Sequence, residues 1–96
     1  MNDLPELTRK QLSRSISARV RKRLMLGRFE SGDDFVALRR FVGLSQTRFA
    51  RAMGISVHTL RNWEQGRRQP EGAAIALLRI AARYPRIIRE NLKSAA

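Results

Sequence analysis

Apolar residues recur along the chain at intervals of three and four, and nowhere in strict alternation with polar ones. That is the period of helices buried along one face, whereas a half-buried strand alternates at period two. The recurrence is cut into short runs at Gly27, Gly32, Gly43, Gly54, Gly66, Pro70-Glu71-Gly72 and Pro85. Between the cuts Ala, Arg and Leu dominate, all good helix formers. The expected fold class is all-α.

Residues 6–26 form the first candidate helix. Leu12, Ile16, Val20 and Leu24 fall on every fourth position, with Lys10, Arg14 and Arg21 opposite. Three readings of it are open: a stripe packed on the rest of the chain with its charges solvated, a helix that docks a partner or lies along phosphates, and a helix on a membrane surface. The last lacks the Trp or Phe such a face uses. The expected division is therefore 1–30, a basic amphipathic helix and linker, and 31–96, a five-helix domain.

Within 31–96, Ser31 or Asp33 can cap a helix over Asp34–Val42 that turns Phe35, Leu38 and Val42 inward. Asp33 and Asp34 read as charge placed favourably at its positive end. Ser45 caps Gln46–Met53, Ser56 caps Val57–Gln65, and Gly43, Gly54 and Gly66 suit the helix ends. Pro70 opens Glu71–Arg83, with Ala74, Leu77, Leu78 and Ala81 inside. Pro85 opens a last helix carrying Ile87, Ile88 and Leu92.

Charge changes the picture. Ninety-six residues carry 20 Lys+Arg against 8 Asp+Glu, a net of +12, with 43% apolar residues. A folded domain this basic implies an anionic partner: nucleic acid, an acidic membrane face or an acidic protein. The absence of Cys excludes disulfides and thiolate zinc sites, and one His leaves no His-based metal cluster. No cofactor is expected. No apolar run approaches the ~18 residues of a membrane span, and the Asp3 and Glu6 start does not read as a secretory signal. A cytoplasmic chain with no membrane partner is expected.

Two short helices joined by Gly54-Ile55-Ser56 are the strongest local signal. Ala50 is small where the helices approach, Gly54 supplies the positive φ, Ile55 plugs the turn, and Leu60 and Trp63 fix the second helix. These are the parts of a helix-turn-helix. The run LSQTRFARAMGISVHTLRNWEQGRRQP, Leu44 to Pro70, resembles the phage-repressor (Xre-type) helix-turn-helix family. It matches at Leu44, Ser45, Gln46, Phe49, Ala50, Gly54, Ile55, Ser56, Trp63, Glu64, Gly66, Arg67 and Pro70. The Asn62–Gly72 run, Leu77-Leu78-Arg79, Tyr84-Pro85 and Ile88–Leu92 are similar to HigA-type antitoxins, including the NadS group. That resemblance implies a small basic dimer of a bacterium or phage, associated with the nucleoid, that represses its own operon and neutralises a RelE/HigB-like ribonuclease toxin.

On a helical wheel Val57, His58, Arg61, Asn62 and Gln65 share one polar arc, opposite Leu60 and Trp63. Asn62 can bond adenine, Arg61 guanine, and Val57 can meet a thymine methyl. His58 can bond a base or a phosphate. Gln46 opens a helix whose free N–H groups suit a phosphate. Arg48, Ser56, Thr59, Arg67 and Arg68 complete the DNA-binding candidates. Each has a plainer reading: Val57 as a local contact, His58 as surface, Arg67-Arg68 as a solvated loop. The resemblance implies that Gln46 also braces the recognition helix, and that Arg39 and Glu64 form a structural ion pair. Trp63 reads as core.

No nucleophile–base pair and no Walker-type phosphate cradle occurs, so an enzyme is not expected. The expected function is a sequence-specific repressor on double-stranded DNA, binding an inverted-repeat operator as a homodimer through Tyr84, Ile87, Ile88 and Leu92. Two sub-readings stand: the antitoxin of a type II pair, and a free-standing phage or chromosomal regulator.

Overall fold

Serine oxygens begin three of the helices. The Oγ atoms of Ser17, Ser45 and Ser56 accept the backbone N–H three residues on, at Val20, Arg48 and Thr59. The computed structural model describes residues 16–94. Among them run six helices and no strand: α1 Ala18–Met25, α2 Gly32–Val42, α3 Gln46–Met53, α4 Val57–Glu64, α5 Gly72–Arg83 and α6 Pro85–Ser94. The all-α expectation holds. The part of the first expected helix before residue 16, with Leu12, Lys10 and Arg14, lies outside the described residues.

Two helix starts differ from expectation. α2 begins at Gly32, after Ser31, whose side chain makes no capping bond. α5 begins at Gly72, with Glu71 in the cap position and no side-chain cap.

Leu24, Leu38, Val42, Phe49, Leu60 and Leu78 form the fully buried centre of the core. Each comes from the apolar stripe of its helix, so the period read in the sequence is the period that packs. α1 lies against α5, and α6 against α3. Ile16 and Val20 pack beside Leu24, so the described part of the first helix faces the chain's own core.

Its charges are not simply solvated. Arg21 donates through Nε to the Ala82 carbonyl (3.0 Å) and through Nη2 to that of Arg83 (3.2 Å). In return Arg79 and Arg83 of α5 donate to the Met25 carbonyl at the end of α1. Each helix thus has its last carbonyls satisfied by arginines of the other, where the dipole also favours positive charge. The Arg21 guanidinium also sits 5.0 Å over the centre of the Phe41 ring.

The pair Asp33-Asp34, expected as helix-start charge, divides. Asp33 is exposed, but Asp34 is buried. Its carboxylate accepts two bonds from Arg23, Nη1 at 2.6 Å and Nη2 at 3.0 Å, and a third from the Glu30 N–H at 2.7 Å. Arg23 Nη1 also donates to the Arg28 carbonyl. The linker between α1 and α2 is therefore wrapped around one forked ion pair. The Arg23 guanidinium holds the Asp34 carboxyl below the usual carboxylate range, and Asp34 raises Arg23 in turn.

Two outcomes follow for stability. Leu24→Ala should cost about 3 kcal/mol in urea unfolding, the usual loss at a filled core site. Asp34→Asn should cost about 2 kcal/mol at neutral pH through its charge-assisted bonds. Because the folded-state value of Asp34 is depressed, its contribution is complete above the ordinary carboxylate value of about 4. It is lost as the pH falls through the lowered value, so wild type and Asp34→Asn should converge in acid. A gap that ignores pH would count against the ion pair.

Candidate nucleic-acid interface

α3 and α4 meet across a three-residue turn, Gly54 to Ser56. At Gly54 φ is 73°. Its N–H donates to the Arg51 carbonyl and that of Ile55 to Ala50, closing α3. Ile55 packs against the core, and Ser56 starts α4. Leu60 and Trp63 then bury one side of α4. Phe29 stacks on Phe35 (ring centroids 4.6 Å apart), and Phe35 meets Trp63 at a tilt (5.7 Å), so Trp63 is a core residue.

The opposite side of α4 carries the polar residues. His58 and Arg61 are exposed, and Asn62 is half-buried. Among the described residues the Asn62 side-chain amide makes no hydrogen bond, which leaves it free for a ligand. Val57 is half-buried and packs on the core, so only part of it remains for a partner. Ser56 and Thr59 are engaged in the cap: the Thr59 N–H donates to Ser56 Oγ, and Ser56 Oγ bonds Thr59 Oγ1 at 2.9 Å. Arg67 and Arg68 are exposed, and their N–H groups fold back on the Asn62 carbonyl, at 2.8 and 3.4 Å. Gly66 at φ 74° permits that return. The two arginines are thereby held at the C-terminal end of α4.

A relay of side chains fixes this face to the body of the domain. Arg39 of α2 donates through Nε (2.8 Å) and Nη2 (3.3 Å) to the carboxylate of Glu64, whose side chain is 5% exposed. Gln46 Nε2 donates to the same carboxylate at 2.9 Å. The Gln46 Oε1 then accepts from Arg61 Nε at 3.2 Å. Arg39 Nη1 finally reaches the Leu44 carbonyl in front of α3. One carboxylate thus joins α2, α3 and α4, and the last link holds Arg61 while its terminal nitrogens stay unbonded among the described residues. Gln46 is committed to this brace through both ends of its amide. Arg48, one face further round α3, is exposed.

The backbone meets as closely. A Cβ on Gly32 would strike the Glu64 carbonyl, so the first turn of α2 can cross the end of α4 only with glycine there. Sequence reasoning placed Gly32 as punctuation and did not see this approach, for which a glycine at a predicted helix start is the one available signal.

The four residues expected at a dimer contact separate. Tyr84 and Ile87 are 56% and 52% exposed, but Ile88 and Leu92 belong to the chain's own core. The assignment of Ile88 and Leu92 is therefore corrected: α6 turns them onto α3 and leaves Ile87 outside. Leu77 and Ile80 of α5, not expected at the surface, are exposed beside Ile87 along one groove.

A model of the family described as a helix-turn-helix domain matches residues 6–86. The antitoxin HigA-2 of Vibrio cholerae serotype O1 (strain ATCC 39315 / El Tor Inaba N16961) is 44% identical over 55 residues. These cover 57% of this chain and 53% of that protein, so the matched part spans about half the length of this curated relative. No solved structure matches the chain. The likeness to HigA-type proteins expected from the Asn62–Gly72 run is thus found.

Two substitutions probe the relay. Glu64→Gln should cost about 3 kcal/mol, because it leaves the largely buried Arg39 guanidinium without its charged partner. Gln46→Ala should cost only about 1 kcal/mol, a net hydrogen bond. Urea denaturation of the two variants checks the order, and equal losses would contradict a hub at Glu64.

Proposed function

From the premise that this chain belongs to the helix-turn-helix domain family, we propose that it is a sequence-specific transcriptional repressor and the antitoxin of a type II toxin–antitoxin pair. The observation that carries the DNA-reading part is the relay from Arg39 through Glu64 and Gln46 to Arg61. It holds the exposed arc of α4 in one orientation, as base-edge recognition requires. In this reading Arg61, Asn62 and His58 meet base edges, with Val57 adding an apolar contact. Gln46, Arg48, Ser56, Thr59, Arg67 and Arg68 meet or organise the phosphate backbone.

Two copies place their α4 helices in successive major grooves about 34 Å apart on an inverted repeat. Leu77, Ile80, Tyr84 and Ile87 form the apolar strip along which the copies join. Bound across a promoter, such a dimer blocks transcription of its own operon. The likeness to an antitoxin supports a partner toxin of the RelE/HigB ribonuclease type. The proposed role is one of binding.

A free-standing regulator is the second reading. It is favoured by one observation: α1 covers its apolar stripe within its own domain, through Leu24, Val20 and Ile16, and so does not offer that stripe to a toxin. Co-expression with the adjacent reading frame, followed by pull-down and a growth test, separates the two. A stable complex that relieves growth arrest supports the antitoxin, and absence of any complex supports the free-standing regulator.

For DNA reading, Arg61→Ala with Asn62→Ala should remove about 1–3 kcal/mol of base discrimination per lost contact. Weak, salt-sensitive binding to any duplex should remain. Competition between a selected duplex and a scrambled one measures both. Unchanged preference would put the reading face elsewhere.

A further inference from the structure

α6 carries a second basic surface. Arg86, Arg89 and Lys93 on α6 and Arg48 of α3 line a groove of about 330 Å³, together with Leu44 and Leu92. Glu90 is the acid on this wall, so the groove holds four positive charges against one negative.

The cations are poorly neutralised by the fold. Arg86 and Glu90 lie at 3.5 Å, one helical turn apart, with the Arg86 side chain 82% exposed. Exposed pairs of this kind are weak and easily exchanged for a better anion. Arg89 Nη1 donates to the Val42 carbonyl at 2.9 Å, which pins the guanidinium at the groove and leaves its other nitrogens unbonded among the described residues. The side chains of Arg48 and Lys93 make no hydrogen bond or ion pair among the described residues.

The groove also adjoins the reading surface. Arg48 stands in the first turn of α3, two residues after Gln46, which bonds Arg61 of α4. The start of α3 is therefore a common wall, with the arc of α4 on one side and the α6 groove on the other. Within that first turn Ser45 Oγ accepts from the Arg48 N–H, and the N–H groups of Gln46 and Thr47 precede the first helical bond of α3.

We propose that the groove between the start of α3 and α6 binds phosphodiester groups of the DNA strand that flanks the base pairs read by α4. This rests on the DNA-binding reading above and extends its footprint outward. Arg86 and Lys93 grip two phosphates, Arg48 links them to those at α3, and Arg89 is the pinned cation at the centre. Such contacts carry no base preference and serve register and affinity.

The test uses the full chain, the variant Arg86→Gln with Lys93→Gln, and Arg48→Gln separately. The probe is a duplex selected by the wild-type chain from a randomised pool, made with and without about six flanking base pairs on each side. Fluorescence anisotropy follows affinity against salt, and circular dichroism checks that each variant is folded. Losing two phosphate contacts should lower the slope of log affinity against log salt by about 1.8, at roughly 0.9 for each. If the lines converge near 1 M salt, binding at about 0.1 M weakens roughly 60-fold, and the advantage of the longer duplex disappears. Base preference stays intact. Arg48→Gln alone should lower the slope by about 0.9. Wild-type slope and flank dependence in the folded Arg86→Gln, Lys93→Gln variant would overturn the proposal while leaving the DNA-binding reading standing. Failure of the wild-type chain to select any duplex would overturn both.

Discussion

A carboxylate almost without solvent must be satisfied by the protein itself, and Glu64 is that group in this fold. Its donors come from Arg39 and Gln46, on two helices other than its own. The helices that carry the reading face are only eight residues each, too short to hold their shape alone. Hydrophobic packing gives them a place, but packing tolerates rotation and sliding. A forked guanidinium and an amide on one carboxylate do not, because each bond has a direction. The same constraint that stabilises the domain also orients Arg61.

Much of the fold was legible because its local devices agree with one another. Ser45, Ser56 and the glycines at 43, 54 and 66 mark helix ends by their own chemistry, whatever the surroundings. The side of α4 that packs was legible from Leu60 and Trp63. By contrast, Ile87 and Ile88 are neighbours of equal hydropathy, and only the docking angle of α6 decides which is buried. Asp34 stands in a helix's first turn, where an acid always looks at home, and nothing in the sequence links it to Arg23. The Arg39–Glu64 pair came from resemblance rather than spacing, since twenty-five positions separate its members. Pairs that are distant in sequence and formed by docking are what periodicity cannot see.

The net charge is also redistributed by the fold. Residues 1–30 carry eight Lys+Arg and three Asp+Glu, and sequence alone leaves that excess without a role. Arg21 and Arg23 are taken up inside the molecule, by carbonyls and by Asp34. The strongly basic balance therefore overstates what is available to an external anion at this end. On α4, on the loop after it and along α6 the opposite holds, and exposed cations stand with few internal acceptors.

The mutual arginine bonds of α1 and α5 have a wider consequence for composition. Seventeen of the chain's twenty basic residues are arginine. An ammonium could supply the same charge, but it could not reach two successive carbonyls with a rigid fork as Arg21 does. Part of the arginine bias is thus architectural: guanidinium groups serve as mortar between helix ends. A chain of identical net charge rewritten in lysine would keep its attraction for polyanions and lose the joints that hold its first helix in register.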